Sequence, residues 1–147
     1  MNPSPGPPNS RDPDCIFCKI VAGEIPSYKL HEDEQVLAFL DVGPLSEGHA
    51  LVIPKAHYAT LDQVPEDLAA ACMRIVARLS RAVCAATGAE AWNVLQNNGR
   101  RAHQAVDHVH FHIIPKTDKG GLGIDWPAGK LDDAQATRLQ QHILAAL

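Results

Sequence analysis

Several features of common protein classes are missing from this sequence. No uninterrupted apolar stretch approaches the roughly 20 residues that cross a bilayer, so a membrane role is not expected. There is no run of basic residues and the formal net charge is −4, which argues against a large nucleic-acid footprint because such binding neutralises many phosphates. A single phosphate needs far fewer partners. A mononucleotide therefore remains a suitable ligand.

Cysteine is also scarce, with 4 in 147 residues, and the N-terminal stretch lacks the apolar segment of a secretory signal. Thiols without such a signal suggest a reducing compartment, and we expect the cytoplasm. Residues 1–14 hold five of the eleven prolines and are predicted to form a flexible, non-catalytic tail. Residues 15–147 are predicted to form one domain.

Periodicity and turn residues predict an alternation of strands and helices along this domain. A long helix should begin near Pro65 and stop at Gly88, and a second should run from Asp133 to the end. The glycine-rich stretch 120–123 should form a mobile loop, and we expect this loop to lie near the active site. The predicted elements follow the order strands, helix, strands, helix. This order indicates an α+β fold with an antiparallel sheet of about five strands covered by the long helix. The predicted strands are 28–31, 36–41, 49–54, 91–96 and 106–114.

What the sequence does contain is three histidines at alternate positions, His108, His110 and His112. In a strand, side chains alternate between faces, so the three imidazoles should share one face and the apolar residues between them the other. Neighbouring histidines would lie roughly 6–7 Å apart, close enough to act on one small substrate. The alternative is an amphipathic strand whose wet face happens to be rich in histidine.

The pattern His-φ-His-φ-His-φ-φ, with φ apolar, resembles the signature of the histidine triad (HIT) family, and every position is satisfied. Other stretches resemble the same family in consistent order across about residues 15–127. As a set they look most like the nucleotide-binding phosphoramidase branch. The resemblance implies a HIT-like fold with one long helix on the sheet and a C-terminal helix. The matching stretches are Cys15–Ile20, Ala38–Asp41, Gly48–His57, Asn97, Gln104 and Trp126–Pro127.

The resemblance implies a hydrolase of purine nucleoside 5′-phosphoramidates or related AMP or GMP conjugates, cutting the P–N or P–O bond at the α phosphate. His110 matches the family's nucleophile, and its attack would give a nucleotidyl-histidine that water opens. His112 would donate to a phosphate oxygen, and His108 would orient the group. Gln104 matches a contact to the phosphate or the leaving group.

The same resemblance implies a nucleotide-binding set. Asp41 matches the acid that binds the ribose hydroxyls, and Asn97 matches a contact to phosphate or ribose. On its own, Asn97 followed by Asn-Gly would instead be a turn residue, and the apolar members of the set could be ordinary core. The predicted nucleotide-binding residues are Asp41, Asn97, Phe39, Phe17, Ile20 and His49.

Two positions depart from the family pattern. Ala105 stands where phosphoramidases often carry a hydroxyl residue thought to protonate the departing amine, and His103 replaces a common glycine. The proton donor is therefore open between Gln104, His103 and a water molecule.

Cys15 and Cys18 form half of a zinc motif, and a tetrahedral site needs two more ligands. Family members with this cysteine pair hold zinc with two histidines that match His57 and His108. The resemblance thus implies a structural zinc ion that would stiffen the catalytic strand, and no organic cofactor. The alternative is that the cysteines are reduced surface thiols.

Three other functions remain open from the sequence. The triad could hold a catalytic zinc, the protein could be a purine-nucleotide-binding scaffold with vestigial hydrolysis, or it could hydrolyse dinucleoside polyphosphates. The resemblance also implies a homodimer, because family members pair through the long helix and the strand before the triad.

Overall fold

The computed structural model describes residues 10–147, so the first nine residues of the predicted tail lie outside the described part of the chain. The end of that tail is tied to the loop after the third strand. Ser10 Oγ donates to the carbonyl of His57 over 2.7 Å, and the His57 amide donates to the carbonyl of Ser10 over 2.8 Å.

Five strands form one antiparallel sheet in the order β1-β2-β3-β5-β4. This confirms the predicted α+β class and the sheet of five strands. Two short 3-10 turns, at Leu61–Gln63 and Arg100–Ala102, lie in the connections. The elements are α1 (Ile16–Val21), β1 (Lys29–Glu32), β2 (Val36–Leu40), β3 (Ala50–Pro54), α2 (Glu66–Thr87), β4 (Ala91–Gln96), β5 (Phe111–Lys116) and α3 (Asp133–Ala146).

The long helix α2 begins and ends where its sequence predicts. Pro65 is the N-cap, and Glu66 and Asp67 place acidic side chains in the first turn, where they complement the helix dipole. Gly88 ends the helix with φ 73°, a left-handed conformation that glycine adopts without a steric penalty.

The central strands β2 and β3 are buried on both faces of the sheet, and their alternate residues pack into two separate cores. Val36, Ala38 and Val52 lie in a core with the apolar stripe of α2. Leu37, Phe39, Leu51 and Ile53 lie in a second core, with the side chains of α1. The sequence analysis did not predict α1, which is a helix of only six residues.

The histidine strand differs from its predicted range of 106–114. β5 begins at Phe111, because the ladder with β4 ends at the Gln96–Phe111 pair and the amide of Val109 instead donates to the carbonyl of Tyr58. It also continues through Pro115. β3 pairs with β5 only from Phe111 to Ile113, so beyond that point β5 has one neighbour and a proline without an N–H is tolerated.

The C-terminal helix α3 is capped by Asp132, whose side chain accepts from the amide of Gln135 over 2.9 Å. This confirms the predicted helix. Within the described chain, none of the α3 side chains is buried. Across residues 10–147, the helices are all too short or too polar to traverse a bilayer.

Candidate active site and metal centre

The three histidines of the triad lie on the α1 face of the sheet. The ring of Phe17 meets two of them edge-on, with centroids 5.8 Å from His108 and 5.2 Å from His110. The rings of His110 and His112 follow, with centroids 4.9 Å apart. The apolar residues between the histidines belong to the opposite core against α2. The alternation predicted from the sequence is therefore confirmed.

His108 belongs to a cluster of metal-binding side chains rather than to the cavity wall. Its ring is fully buried, and Nε2 donates to the carbonyl of Pro54 over 2.8 Å. The proton on Nε2 leaves a lone pair on Nδ1. That Nδ1 lies 3.4 Å from Cys15 Sγ, 3.7 Å from Cys18 Sγ and 3.2 Å from His57 Nδ1.

The spacing of these donor atoms fits a tetrahedral metal ion. Bonds of about 2.3 Å to sulfur and about 2.0 Å to nitrogen would place nitrogen and sulfur ligands roughly 3.5 Å apart, and two nitrogens roughly 3.3 Å apart. The observed nitrogen–sulfur distances are 3.4, 3.4 and 3.7 Å, and the nitrogen–nitrogen distance is 3.2 Å. Cys15, Cys18, His57 and His108 therefore lie close enough together to bind a metal ion.

The surroundings of the cluster suit thiolate ligands. Burial raises the pKa of the Cys18 thiol to about 11, so a bound cation would be needed to hold it as a thiolate. Amide N–H groups point at both sulfurs, from Cys18 to Cys15 Sγ over 3.5 Å and from Asp12 to Cys18 Sγ over 3.4 Å. The Asp12 carboxylate also lies 3.9 Å from His57 Nε2 and favours a proton there, which leaves His57 Nδ1 available to the ion.

A single hydrogen bond defines the reactive nitrogen of His110. Its Nδ1 lies 2.7 Å from the carbonyl of His108, and because a carbonyl can only accept, Nδ1 carries the proton. Burial lowers the pKa of His110, so the ring is neutral near neutral pH. Nε2 therefore holds an unshared electron pair, which is the form of imidazole that attacks an electrophile.

A chain of hydrogen bonds gives His112 the opposite tautomer. The Leu45 amide donates to His49 Nδ1 over 3.0 Å, so His49 carries its proton on Nε2. That Nε2 donates to His112 Nδ1 over 2.8 Å, which leaves the proton of His112 on its own Nε2. Burial, with the neighbouring His110 and His49, lowers the pKa of His112 to about 4. His112 is thus a neutral N–H donor beside a neutral acceptor.

Asp41 joins this network at the end of β2. Its Oδ1 accepts from the Gly43 amide over 2.8 Å, and its Oδ2 lies 3.5 Å from His49 Nε2. Asp41, His49 and His112 are close enough to hold a metal ion. However, the Leu45 amide occupies His49 Nδ1 and keeps the proton on Nε2, the atom that would have to bind. This group is therefore a hydrogen-bond network.

Two cavities meet at His110 and His112, and both also touch Asp41 and Ala105. The first has a volume of about 430 Å³ and a partly polar wall. The second, of about 300 Å³, is a mainly apolar slot between α1 and the sheet. The first is further lined by His49, Leu95, Asn97, His103 and Leu122, and the second by Phe17, Ile20, Ile25, Phe39 and Leu51.

The structure brings all six predicted nucleotide-binding residues to these walls. The three apolar candidates line the slot, Asn97 and His49 line the first cavity, and Asp41 lies where the two join. Leu122 also reaches the first cavity, so the glycine-rich stretch 120–123 borders the site.

Like His108, Gln104 lines neither cavity. Its Oε1 accepts from the Gly99 amide over 2.7 Å, and its Nε2 donates to the carbonyls of Ala59 and Val106 over 2.7 and 3.0 Å. The amide is therefore used in bracing the loop before β5. In this arrangement the side-chain amide of Gln104 is already hydrogen-bonded to the backbone, and its contact with a phosphate or leaving group stays a prediction.

The sequence did not predict the hydrogen bond from the Leu45 amide to His49, which sets the tautomer of His49 and hence that of His112. A backbone donor leaves no side-chain signal. The surrounding glycines and Pro44 indicate only a turn.

Comparison with known proteins adds independent findings. The HIT domain model matches residues 22–119. A Saccharomyces cerevisiae protein named adenosine 5′-monophosphoramidase HNT1 is 50% identical over 141 residues, covering 95% of this chain and 87% of that protein.

Solved structures agree in fold. The histidine triad nucleotide-binding protein from Candida albicans has a TM-score of 0.84 and 45% identity, covering 90% of this chain and 96% of that chain. A Zn-bound histidine triad family protein from Mycobacterium smegmatis has a TM-score of 0.68 and 33% identity, covering 90% of this chain and 94% of that chain.

Proposed function

The chain belongs to the HIT domain family, and on that premise we propose that it hydrolyses purine nucleoside 5′-phosphoramidates through a nucleotidyl-His110 intermediate. The observation that carries the proposal is the Nε2 lone pair of His110, on the wall shared by a partly polar cavity and an apolar slot. The name of the yeast relative supports an adenosine phosphoramidate as substrate.

The proposed chemistry uses two neutral imidazoles of opposite tautomer. His110 Nε2 attacks the α phosphorus, the P–N bond breaks, and its electron pair leaves with the amine. The Nε2–H of His112 donates to a non-bridging oxygen as charge builds there. Water then attacks phosphorus, the bond to His110 breaks, and the nucleoside monophosphate is released.

The two cavities support a division of the nucleotide between them. The slot offers aromatic and aliphatic walls for the purine, chiefly Phe17, Phe39 and Ile20. Asp41, at the junction, keeps a partly exposed carboxylate that can accept from the ribose hydroxyls. Asn97 lies on the wall of the first cavity, where a phosphate or its leaving group would be held.

The alternatives differ in how well they suit this geometry. A catalytic zinc on the triad is disfavoured, because His108 Nδ1 faces the cysteines while His110 Nδ1 donates to a carbonyl. A purine-nucleotide scaffold would use the same slot, and dinucleoside polyphosphate hydrolysis would use the same nucleophile. The rate at which the native protein hydrolyses a nucleoside phosphoramidate distinguishes both of these alternatives from the proposal. Location in the cytoplasm stays a prediction from the sequence.

We further propose that the metal held by Cys15, Cys18, His57 and His108 is zinc. Two sulfur and two nitrogen donors at tetrahedral spacing match the ligand preference of zinc, and the related mycobacterial structure is described as Zn-bound. With all four positions taken by protein, the ion would be structural. It would hold the ring of His108 without taking part in the reaction.

We also propose that the protein forms the homodimer that the family resemblance implies. β4 is an edge strand, and its Trp92 and Val94 are each 45% exposed. An exposed apolar edge strand pairs readily with another strand, and a second copy offers the same edge. The exposed apolar side chains of α3 add further surface for such a partner.

The first prediction concerns the nucleophile. Mixing the native protein with an adenosine phosphoramidate and quenching should reveal an adenylyl adduct by intact-protein mass spectrometry, and His110→Ala should form none and retain under about 1% of turnover. His142→Ala, which removes an exposed imidazole on α3, should behave as native. Turnover above about a tenth of native in His110→Ala would disprove the assignment.

The second prediction concerns the metal. Protein prepared without chelator should contain about one zinc per chain, and Cys18→Ser should lose it and melt roughly 6 to 12 °C lower, equivalent to about 3 kcal/mol. Cys84→Ser, outside the cluster, is the matched control and should keep its zinc. Elemental analysis that finds no zinc in the native protein would rule the site out.

The third prediction concerns assembly. The native protein should sediment at twice the chain mass, and Val94→Lys should shift it to monomer because a charge on the edge strand opposes pairing. Tyr28→Glu, an exposed residue preceding β1 at the other edge of the sheet, should leave the dimer intact. A native monomer, or a Val94→Lys dimer, would contradict this interface.

A further inference from the structure

The proposed reaction requires a proton donor in addition to His110 and His112. When the P–N bond breaks, the electron pair goes to the leaving nitrogen, and an amide anion is far too basic to depart in water. A positioned acid must therefore protonate that nitrogen as the bond breaks. This requirement rests on the proposed phosphoramidase function.

The family position that often carries a hydroxyl group is Ala105 here, and its side chain has no proton to give. It lines both cavities beside His110 and His112. The neighbouring Gln104 is excluded as well, because its amide N–H groups donate to the carbonyls of Ala59 and Val106. Besides a water molecule, the candidates for the acid are the titratable residues on the cavity wall.

The titratable side chains on the wall of the first cavity, among the described residues, are Asp41, His49, His103, His110 and His112. Four of these side chains already act as the nucleophile or take part in hydrogen bonds of the site. His110 attacks through Nε2, while its Nδ1–H is bound to a carbonyl. The proton of His49 is donated to His112, whose own Nε2–H is the proposed donor to the phosphate oxygen. Asp41 is engaged by the Gly43 amide and lies beside His49.

His103 is the remaining member, and its imidazole is uncommitted. The residue is exposed, and within residues 10–147 its side chain has no hydrogen-bond partner. Its backbone is held, by contrast. Its amide donates to the carbonyl of Arg100 over 3.0 Å, and its carbonyl accepts from Asn97 Nδ2 over 3.4 Å. A fixed backbone thus presents an unpaired imidazole at the cavity.

The conformation of His103 adds a second observation. With φ 67°, it is the one non-glycine residue of the described chain that has a positive φ. Left-handed backbone is disfavoured for most residues with a side chain, but histidine is among those that adopt it more often, and here His103 ends the 3-10 turn Arg100–Ala102. Glycine would suit this backbone better, so this turn places an imidazole on the cavity wall where the commoner residue would offer no side chain.

We propose that His103 is the catalytic acid that protonates the leaving amine. As His110 Nε2 bonds to phosphorus, the P–N electron pair takes a proton from the His103 imidazolium, and a neutral amine departs. In the second half-reaction the neutral His103 removes a proton from water as the oxygen attacks phosphorus. The electron pair of the second P–N bond returns to His110 Nε2, and both residues regain their starting states.

The test compares leaving groups that differ in their need for a proton. An adenosine 5′-(N-butyl phosphoramidate) loses an amine and needs the acid, whereas the 4-nitrophenyl ester of AMP loses a stable phenolate and does not. In His103→Asn, whose side chain tolerates the left-handed backbone, the ratio of the two kcat/KM values should fall by about 100-fold. In His103→Gly, added imidazole should restore part of the amide turnover.

The control is His142→Ala, for which the ratio should equal that of the native protein. An unchanged ratio in His103→Asn, or an equal loss for both substrates, would overturn the role of His103 while leaving the proposed function intact. If the native protein hydrolyses neither substrate, the proposed function itself fails. The two failures are therefore distinguishable.

Discussion

The hydrogen bond from His110 Nδ1 to the carbonyl of His108 is the contact on which the candidate active site depends. It keeps the proton on the inner nitrogen and leaves the outer one with an electron pair toward the cavity. The accepting carbonyl is held because the ring of His108 is anchored by the Pro54 carbonyl and by the thiols of Cys15 and Cys18. A metal ion in that cluster would therefore support the nucleophile from two residues away.

The two-sided burial of the sheet explains why the site lies where it does. The α2 face is filled by aliphatic side chains and holds the strands together. The one helix of the described chain in the core on the other face is the short α1, and a slot remains between that helix and the sheet. Phe17 both closes this slot and contacts the rings of His108 and His110. One small helix thus joins the metal cluster, the histidines and the apolar cavity.

Much of this arrangement could be predicted from local patterns. The alternation at His108, His110 and His112 indicated a shared face, and the apolar stripe with Gly88 bounded α2. The limits of β5 could not be predicted, because they depend on which neighbours pair with it. Pro115 stays in the strand since β3 no longer lies beside it there.

Roles that depend on hydrogen bonding were the hardest to infer. Gln104 carries an amide that could bind a phosphate, but in the structure this amide forms hydrogen bonds with three backbone groups. The tautomers of His110 and His112 follow from a carbonyl and from the Leu45 amide, and neither appears in a side-chain pattern. The local pattern did not choose among Gln104, His103 and water as the proton donor, because that choice depends on which side chains are already hydrogen-bonded.

The central claim is that His110 is a neutral imidazole protonated on Nδ1, and nitrogen-15 NMR tests it most directly. In uniformly labelled protein near pH 7.5, long-range proton–nitrogen correlations should show a pyrrole-type Nδ1 and a pyridine-type Nε2 for His110, assigned by their loss in His110→Ala. A proton on Nε2, or a cationic ring at that pH, would contradict the account.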